Sequence, residues 1–132
     1  MRGRDRHGRR PTRSVLPRSL PGFRTRRQRF DDTVSDAAER LATRWAREWG
    51  RLEIGVEDVP PSDPAPWEDG VLLARLFPAD AGQPARIIIY RRPVERRSAA
   101  GNTAPLVRDV LAENLAQLLS KAPEEIDPSY GT

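Results

Sequence analysis

The chain contains no cysteine, and it has only one histidine, His7, among its 132 residues. The absence of cysteine excludes disulfide scaffolds, thiolate nucleophiles and zinc or iron–sulfur sites built on thiolates. A single histidine excludes zinc sites that need two imidazoles from one chain, and also most Ser-His-Asp hydrolases. The residue inventory therefore leaves few routes to catalysis.

Long apolar runs are missing as well. No window reaches the roughly 18 apolar residues of a membrane-spanning helix, and the basic start is not followed by the apolar region of a secretory signal. Pro11, Pro17 and Pro21 would break any long amphipathic helix of the transit-peptide kind. We therefore expect a cytoplasmic protein without a membrane partner, and the length suits one domain with one hydrophobic core.

Lysine is nearly absent, because 22 of the 23 basic residues are arginine. Eleven of these arginines lie in residues 1–29 beside a single acid, Asp5, so this stretch carries a formal charge of +10 and leaves −6 for residues 30–132. Its few apolar residues are isolated by proline and arginine, and they cannot bury enough surface to offset the cost of ordering the backbone. The sequence therefore predicts a disordered basic arm over 1–29, a folded domain over 30–128 and a C-terminal tail over 129–132.

Several arginines of this arm are candidate contacts to a polyanion. Arginines without interleaved aromatic residues bind phosphates with little sequence preference, and their affinity falls as the salt concentration rises. The candidate nucleic-acid or anion contacts are Arg2, Arg4, Arg6, Arg9, Arg10 and Arg13.

From Phe30 onward the apolar residues repeat at spacings of three and four, which predicts an amphipathic helix. Asp31 and Asp32 would lie in its first turn, where the helix dipole favours carboxylates, and Gly50 would end it. The apolar stripe consists of Phe30, Val34, Ala38, Leu41, Trp45 and Trp49.

Three strand patterns follow this helix. Apolar residues alternate with polar ones over 52–57, which is typical of a strand with one buried face. A proline-rich loop over 60–70 precedes a second strand over 71–77. Residues 87–90 are apolar throughout, which predicts a central strand covered on both faces.

A second amphipathic helix is predicted after a polar stretch that follows Pro93. Thr103 would cap it, Pro105 would lie in its first turn, and its leucine-rich pattern ends before Pro123. The order of one helix, three strands and one helix predicts an α+β domain with both helices packed on one three-stranded sheet.

Several segments carry a family resemblance. The stretches RTRRQRFDD at 24–32, VEDVPP at 56–61 and ARIIIYRRP at 85–93, with the leucine-rich last helix, resemble the small bacterial zincin-like metallopeptidases, especially their actinobacterial branch. The resemblance spans nearly the whole chain, including RDRHGR at 4–9. It implies a minimal zincin fold, in which a His-Glu-x-x-His helix against a short sheet holds zinc through two imidazoles and uses the glutamate as general base.

The last helix contains no histidine, so that motif is degenerate in every register. In a first register, Glu113 and Gln117 take the two ligand positions and Asn114 takes that of the general base. The two ligand positions share one helix face at i and i+4. A carboxylate and an amide oxygen are too few ligands for a tight Ca²⁺ or Mg²⁺ site, so we expect a solvated or groove-lining pair.

Two further registers fail in the same way. One keeps Glu113 as the base but places Ala112 and Ala116 at the ligand positions. The other sets Arg108 and Asp109 over the first His-Glu pair, again with Ala112 in place of the second histidine. We therefore expect no catalytic residues, no metal ligands and no cofactor, although the family resemblance implies zinc.

The function predicted on this basis is that of a non-catalytic pseudopeptidase, a zincin-like protein that binds a peptide or protein. Peptide binding by strand addition to a sheet edge does not require zinc. The alternative is binding of nucleic acid or an anionic surface through the basic arm. An active hydrolase lacks support, because residues 30–132 contain no histidine to activate a nucleophile.

Three other groups of polar residues are predicted to have no catalytic or binding role. Glu57 and Asp58 end a predicted strand, where acid–base chemistry is conceivable but capping of a turn is expected. The pairs at 91–92 and 96–97 are arginines that would form a polar rim to the sheet rather than a phosphate site. His7 lies in the basic arm and is not expected to bind a metal.

Overall fold

The computed structural model describes residues 25–61 and 72–132. Over these residues the fold is α+β, with helices before and after a three-stranded sheet, which confirms the predicted fold class. The elements in chain order are α1 (Arg26–Trp49), β1 (Leu52–Glu57), β2 (Ala74–Phe77), β3 (Ala85–Tyr90), α2 (Arg91–Arg97), a 3₁₀ turn (Ala99–Gly101), α3 (Ala104–Leu119) and α4 (Pro123–Ile126).

The sheet has the order β1-β3-β2, so β3 is its central strand. β1 runs parallel to β3, with Ile54 opposite Ile87, and β2 runs antiparallel to it, with Leu76 opposite the same residue. Residues 87–90 are buried on both faces of the sheet. The prediction of a central strand covered on both sides is therefore confirmed.

The main hydrophobic core lies between one face of the sheet, here called the inner face, and the helices. Val56, Ile87 and Ile89 supply the sheet side, and apolar residues of α1 and α3 supply the other. Burial of such side chains, at about 25 cal/mol per Å² of apolar surface, is the main favourable contribution to folding. The predicted packing of both helices on one sheet is confirmed. The fully or nearly fully buried helix residues are Phe30, Val34, Leu41, Val107, Leu111 and Leu115.

α1 begins at Arg26, four residues before the predicted start at Phe30. Its cap is Thr25, whose side-chain oxygen accepts a hydrogen bond from the Gln28 backbone N–H at 3.1 Å, while the Gln28 side chain accepts one from Thr25 N–H at 2.8 Å. This capping box moves the helix start into the predicted basic arm. Consequently the placement of Asp31 in the first turn was wrong. It lies in the second turn and is buried.

The segment after β3 also differs from its predicted polar, irregular path. Residues 91–97 form α2. The proline at position 93 is compatible with this helix because it lies in the first turn, where no backbone donor is needed. α3 has its N-cap at Thr103 and Pro105 in its first turn, as predicted, although the Thr103 side chain makes no capping bond. β2 starts at Ala74, later than predicted, and residue 71 lies outside the described residues.

Within 25–61 and 72–132, no helix has both the length and the apolar character needed to cross a membrane.

Candidate functional site on helix α3

Helix α3, where the resemblance places the degenerate motif, has a buried face and an exposed face. Ala112 and Ala116 lie on the buried face, with 0% and 2% of their surface exposed, and both belong to the main core. Glu113 and Gln117 lie on the exposed face. The two pairs therefore occupy different environments although they are neighbours in sequence.

The two residues at the ligand positions of the first register, Glu113 and Gln117, do not act together as a pair. Gln117 is exposed, and the Glu113 carboxylate accepts a short hydrogen bond from the Tyr130 hydroxyl. Asn114, in the position of the general base, donates its side-chain N–H to the Val110 carbonyl at 2.8 Å. The side chain of Asn114 is therefore occupied by its own helix.

The other two registers also lack metal ligands. Ala112 and Ala116 offer no donor atom, and each contacts the core where an imidazole would have to displace neighbours. Asp109 uses a carboxylate oxygen to accept a hydrogen bond from Gly131 N–H at 3.2 Å. Arg108 lines a cleft of about 180 Å³ between α1 and α3. The residues present do not fit a zinc ion in any of the three registers.

The described part of the chain contains no group of three or more histidine, cysteine, aspartate or glutamate residues suited to hold a metal ion.

The hydrogen bond to Glu113 changes the acidity of Tyr130. Donation to the carboxylate stabilises the neutral phenol, and burial and the nearby negative charges act in the same direction, which raises the pKa of Tyr130 to about 12. Tyr130 also packs against the core. Residues 129–132, predicted as a separate tail, are thus in contact with the exposed face of α3.

Asp127 fixes this C-terminal segment to α1. It is buried and accepts two hydrogen bonds from Arg40, at 2.5 and 3.1 Å, in the bidentate arrangement that guanidinium and carboxylate groups favour. It also accepts bonds from the backbone N–H and hydroxyl of Ser129, at 2.9 and 2.8 Å. Burial alone would raise the pKa of Asp127, but these bonds and the charge of Arg40 lower it below its ordinary value of 3.8.

A second anchor lies beside it. The Trp45 indole N–H donates to the Ile126 carbonyl at 2.8 Å, which connects α1 to α4. Together these contacts connect residues 126–131 to α1, and the bonds of Tyr130 and Gly131 connect them to α3.

A separate polar cluster joins β1, α1 and α2. The Arg91 Nε donates to Asp58 at 3.1 Å, an Arg91 terminal nitrogen donates to Glu95 at 3.0 Å, and Arg27 forms a short ion pair with Asp58. Burial alone would raise the pKa of Asp58, but the bonds and charges of the two arginines lower it. Burial alone would lower the pKa of Arg91, but its hydrogen bonds to Asp58 and Glu95 and their negative charges raise it. Asp58 is therefore a structural tie, and the buried Arg91 is not part of a polar rim.

A cleft of about 560 Å³ opens next to this cluster, between the start of α1 and the start of α3. Its lining includes Arg26, Arg29 and Glu95 from one side and Asn102 and Thr103 from the other. Sequence reasoning missed this cleft. The run of arginines immediately before Phe30 could have indicated it, because these arginines form the first turn of α1.

The six arginines predicted to contact a polyanion and the single histidine belong to the basic arm. Arg2, Arg4, Arg6, Arg9, Arg10, Arg13 and His7 lie outside the described residues.

The edge strand β2 lies next to α3. The Tyr90 N–H donates to the Leu73 carbonyl at 2.9 Å, which makes these two residues a hydrogen-bonded pair of the antiparallel ladder. By the alternation of such ladders, the backbone N–H and C=O groups of Ala74 and Leu76 then point away from β3. Among the described strands β2 pairs with β3 alone, so these groups face the outer edge of the sheet.

Comparison with known proteins adds no assignment: no protein-family model matches the chain, and no curated protein matches it.

Proposed function

We propose that this chain is a non-catalytic zincin-like protein that binds an extended peptide or protein segment along the outer edge of β2. The proposal joins two features of one region. The helix that the family resemblance assigns to zinc has no histidine in any of the three registers, and the neighbouring strand presents backbone donors and acceptors at a sheet edge. Strand addition uses those backbone groups and needs no metal.

The observation that carries the proposal is the environment of Ala112 and Ala116. Both are buried in the core, so in the register that gives them the two ligand positions the helix uses that face for packing against its own protein. Alanine is small and favours the helix, so these two residues fit closely against the core. Their packing stabilises the fold and supplies no metal ligand. The core packing of α3 does not use the backbone groups at the outer edge of β2.

The test for peptide binding uses a proline at the sheet edge. Ala74→Pro removes the outward N–H without removing a bond to β3, whereas Ala74→Gly keeps that N–H and serves as the matched control. The probe is a twelve-residue peptide of alternating valine and threonine, flanked by lysines, added to ¹⁵N-labelled full-length protein. We expect amide shifts at positions 74 and 76 in the original chain and the glycine variant, with at least tenfold weaker binding in the proline variant.

Binding of equal strength by the proline variant, with a far-UV circular dichroism spectrum that shows the fold intact, would refute strand addition at this edge. Absence of binding in all three proteins would refute peptide binding of this type.

The absence of catalysis is tested separately. Full-length protein incubated with Zn²⁺ should retain less than one zinc per chain after dialysis, gain no thermal stability and release no product from a fluorogenic peptide. A one-to-one zinc content that survives dialysis would contradict the proposal, whatever the outcome of the peptide titration.

A polyanion is the second candidate ligand, favoured by Arg26 and Arg29 on the cleft at the start of α1. These arginines continue the basic run of residues 1–24 into the folded domain. Arg26→Gln with Arg29→Gln should weaken binding of single-stranded DNA and reduce the slope of log K against log salt concentration by about 1.4. The matched control is Arg47→Gln with Arg51→Gln, at the other end of α1, and equal loss in both double variants would exclude the cleft.

A further inference from the structure

The side chains of β2 alternate between two environments. Ala74 and Leu76 lie on the inner face of the sheet and pack against the main core. Arg75 and Phe77 alternate with them along the strand, so they lie on the opposite side of the sheet, here called the outer face. A strand added at this edge would therefore meet apolar side chains on one face and different chemistry on the other.

The outer face of β2 carries two positive charges. Arg75 is exposed, and it forms no ion pair with another residue of the described ranges. Phe77 is opposite Arg86 of β3, whose guanidinium carbon lies 4.8 Å from the centre of the Phe77 ring. An arginine that stacks on a ring still presents N–H donors around the edge of its guanidinium plane. Both guanidinium groups are therefore suited to receive an anionic group at this edge.

The sequences of these two strands leave their charges unbalanced. β2 reads ARLF and β3 reads ARIIIY, so neither strand contains an acidic residue. Arg86 is also opposite Glu53 of β1, but its guanidinium lies over Phe77, on the β2 side. The β2 edge is thus cationic on its outer face.

The backbone pairing of β2 determines which side chains a new strand would approach most closely. The outward N–H and C=O groups belong to Ala74 and Leu76, so an antiparallel strand would form its hydrogen-bonded pairs with these two residues. The residues opposite Arg75 and Phe77 would then form non-hydrogen-bonded pairs, in which the Cα atoms are only about 4.5 Å apart. The outer-face side chains of the added strand would therefore lie next to the two guanidinium groups.

We propose that the segment bound along β2 is acidic, with Asp or Glu opposite Arg75 and Phe77 and apolar residues at the alternating positions. This inference rests on the strand addition proposed above and adds the chemical class of the partner. A carboxylate opposite Arg75 can accept two parallel N–H bonds from its guanidinium, and a carboxylate opposite Phe77 can accept from Arg86. The apolar residues would extend the half-buried apolar surface of Ala74 and Leu76.

Charge disfavours the beginning of the same chain as the bound segment. Residues 1–24 contain eight arginines and one acid. Like charges directly opposite each other destabilise a strand pair, whereas opposite charges stabilise it. A segment of this composition would place cations beside Arg75, so the partner is expected to come from another molecule.

The test compares three twelve-residue peptides on ¹⁵N-labelled full-length protein. All three have valine at alternate positions and the same flanking lysines, and the remaining positions hold glutamate, threonine or lysine. Amide shifts at positions 74 and 76 report binding at the edge. We expect the glutamate peptide to bind about fivefold tighter than the threonine peptide and the lysine peptide to bind more weakly than either, because of the charge of the cross-strand pairs.

Charge reversal at the edge gives the sharpest comparison. Arg75→Glu should invert the order, so that the lysine peptide binds tighter than the glutamate peptide. Arg51→Glu changes the net charge by the same amount at an exposed position just before β1, at the opposite edge of the sheet, and should keep the original order. Far-UV circular dichroism checks that both variants are folded.

Equal affinity of the glutamate and threonine peptides for the original chain would overturn this inference and leave strand addition standing. An order that Arg75→Glu leaves unchanged would also overturn it, because the preference would then come from net charge. Tighter binding of the lysine peptide to the original chain would overturn it in favour of a basic partner. Absence of binding by all three peptides would overturn strand addition and this inference together. Self-association of the chain that Ala74→Pro abolishes would overturn it in favour of a second copy.

Discussion

The two faces of helix α3 differ in what they contact. Its buried face holds Ala112 and Ala116 against the core, whereas its exposed face holds Glu113, which is bonded to Tyr130 of the C-terminal segment. On the buried face a change in side-chain volume must displace close-packed neighbours, while on the exposed face it is absorbed by solvent. The comparison shows why the exposed face of α3 accommodates a larger side chain more easily than the buried face does.

The largest expected effect comes from introducing a histidine on the buried face. Ala116→His should destabilise the protein by about 3 kcal/mol, because it overpacks the core and buries a polar ring without an assured partner. Gln117→His, one position along on the exposed face, should change the free energy of unfolding by less than about 0.5 kcal/mol. Urea denaturation of the two variants measures both values.

If Ala116→His is as stable as Gln117→His, the two faces do not differ in packing. The same result accompanied by stabilisation on addition of Zn²⁺ would show that the buried face retains the geometry of a metal site.

A smaller loss is expected when the C-terminal segment loses its anchor on α1. Asp127→Asn should cost about 2 kcal/mol, because a buried acceptor of two charge-assisted bonds from Arg40 becomes a neutral amide. Asp80→Asn, at an exposed position in the turn after β2, is the control and should be neutral. A neutral result for both would show that residues 126–131 are not fixed by this pair.

The same anchor predicts a dependence on pH. The pKa of Asp127 is lower in the folded protein than its ordinary value of 3.8, so the ionised form favours folding. Its contribution is therefore present above about pH 4 and is lost as the pH falls through the lower folded value. Urea denaturation between pH 6 and pH 2 should show a decline that is shallower in Asp127→Asn, and parallel curves would contradict the prediction.

The smallest effect is expected on the exposed face. Tyr130→Phe removes one hydrogen bond to Glu113 at the surface, and should cost about 0.5 kcal/mol at pH 7. The folded pKa of about 12 exceeds the ordinary value of 10.0, so the neutral phenol stabilises the fold below pH 10 and this stability is lost as the pH rises toward 12.

Ultraviolet absorbance of the phenolate measures that titration. Glu113→Gln should bring the Tyr130 transition closer to pH 10, with Gln117→Glu as the control. A transition near pH 10 in the original chain would mean that the hydrogen bond does not form.

Much of the fold was predictable because it depends on local patterns. The spacing of apolar residues predicted α1, β1, β3 and α3, and the apolar run at 87–90 predicted the central strand. The start of α1 was missed because its capping box uses Thr25 and Gln28, inside a stretch whose arginines dominate the composition. α2 was missed because Pro93, a usual helix breaker, lies in a first turn.

The candidate site was less predictable than the fold. The sequence alone shows that α3 contains no histidine, but it does not distinguish between the three possible registers of the degenerate motif. The structure shows that Ala116 is buried and Gln117 is exposed. Helical periodicity does not predict which of two adjacent faces packs against the core.

By itself, the sequence determined that this chain has no cysteine, a single histidine at position 7 and a strongly basic beginning, because composition is independent of conformation. Only the tertiary structure decided which charges meet. Arg40 and Asp127 are 87 residues apart, and Asp58 and Arg91 are 33 apart, so no local pattern relates them. Such pairs form because packing of the apolar faces brings distant segments together, and the polar groups then satisfy one another where water has been excluded.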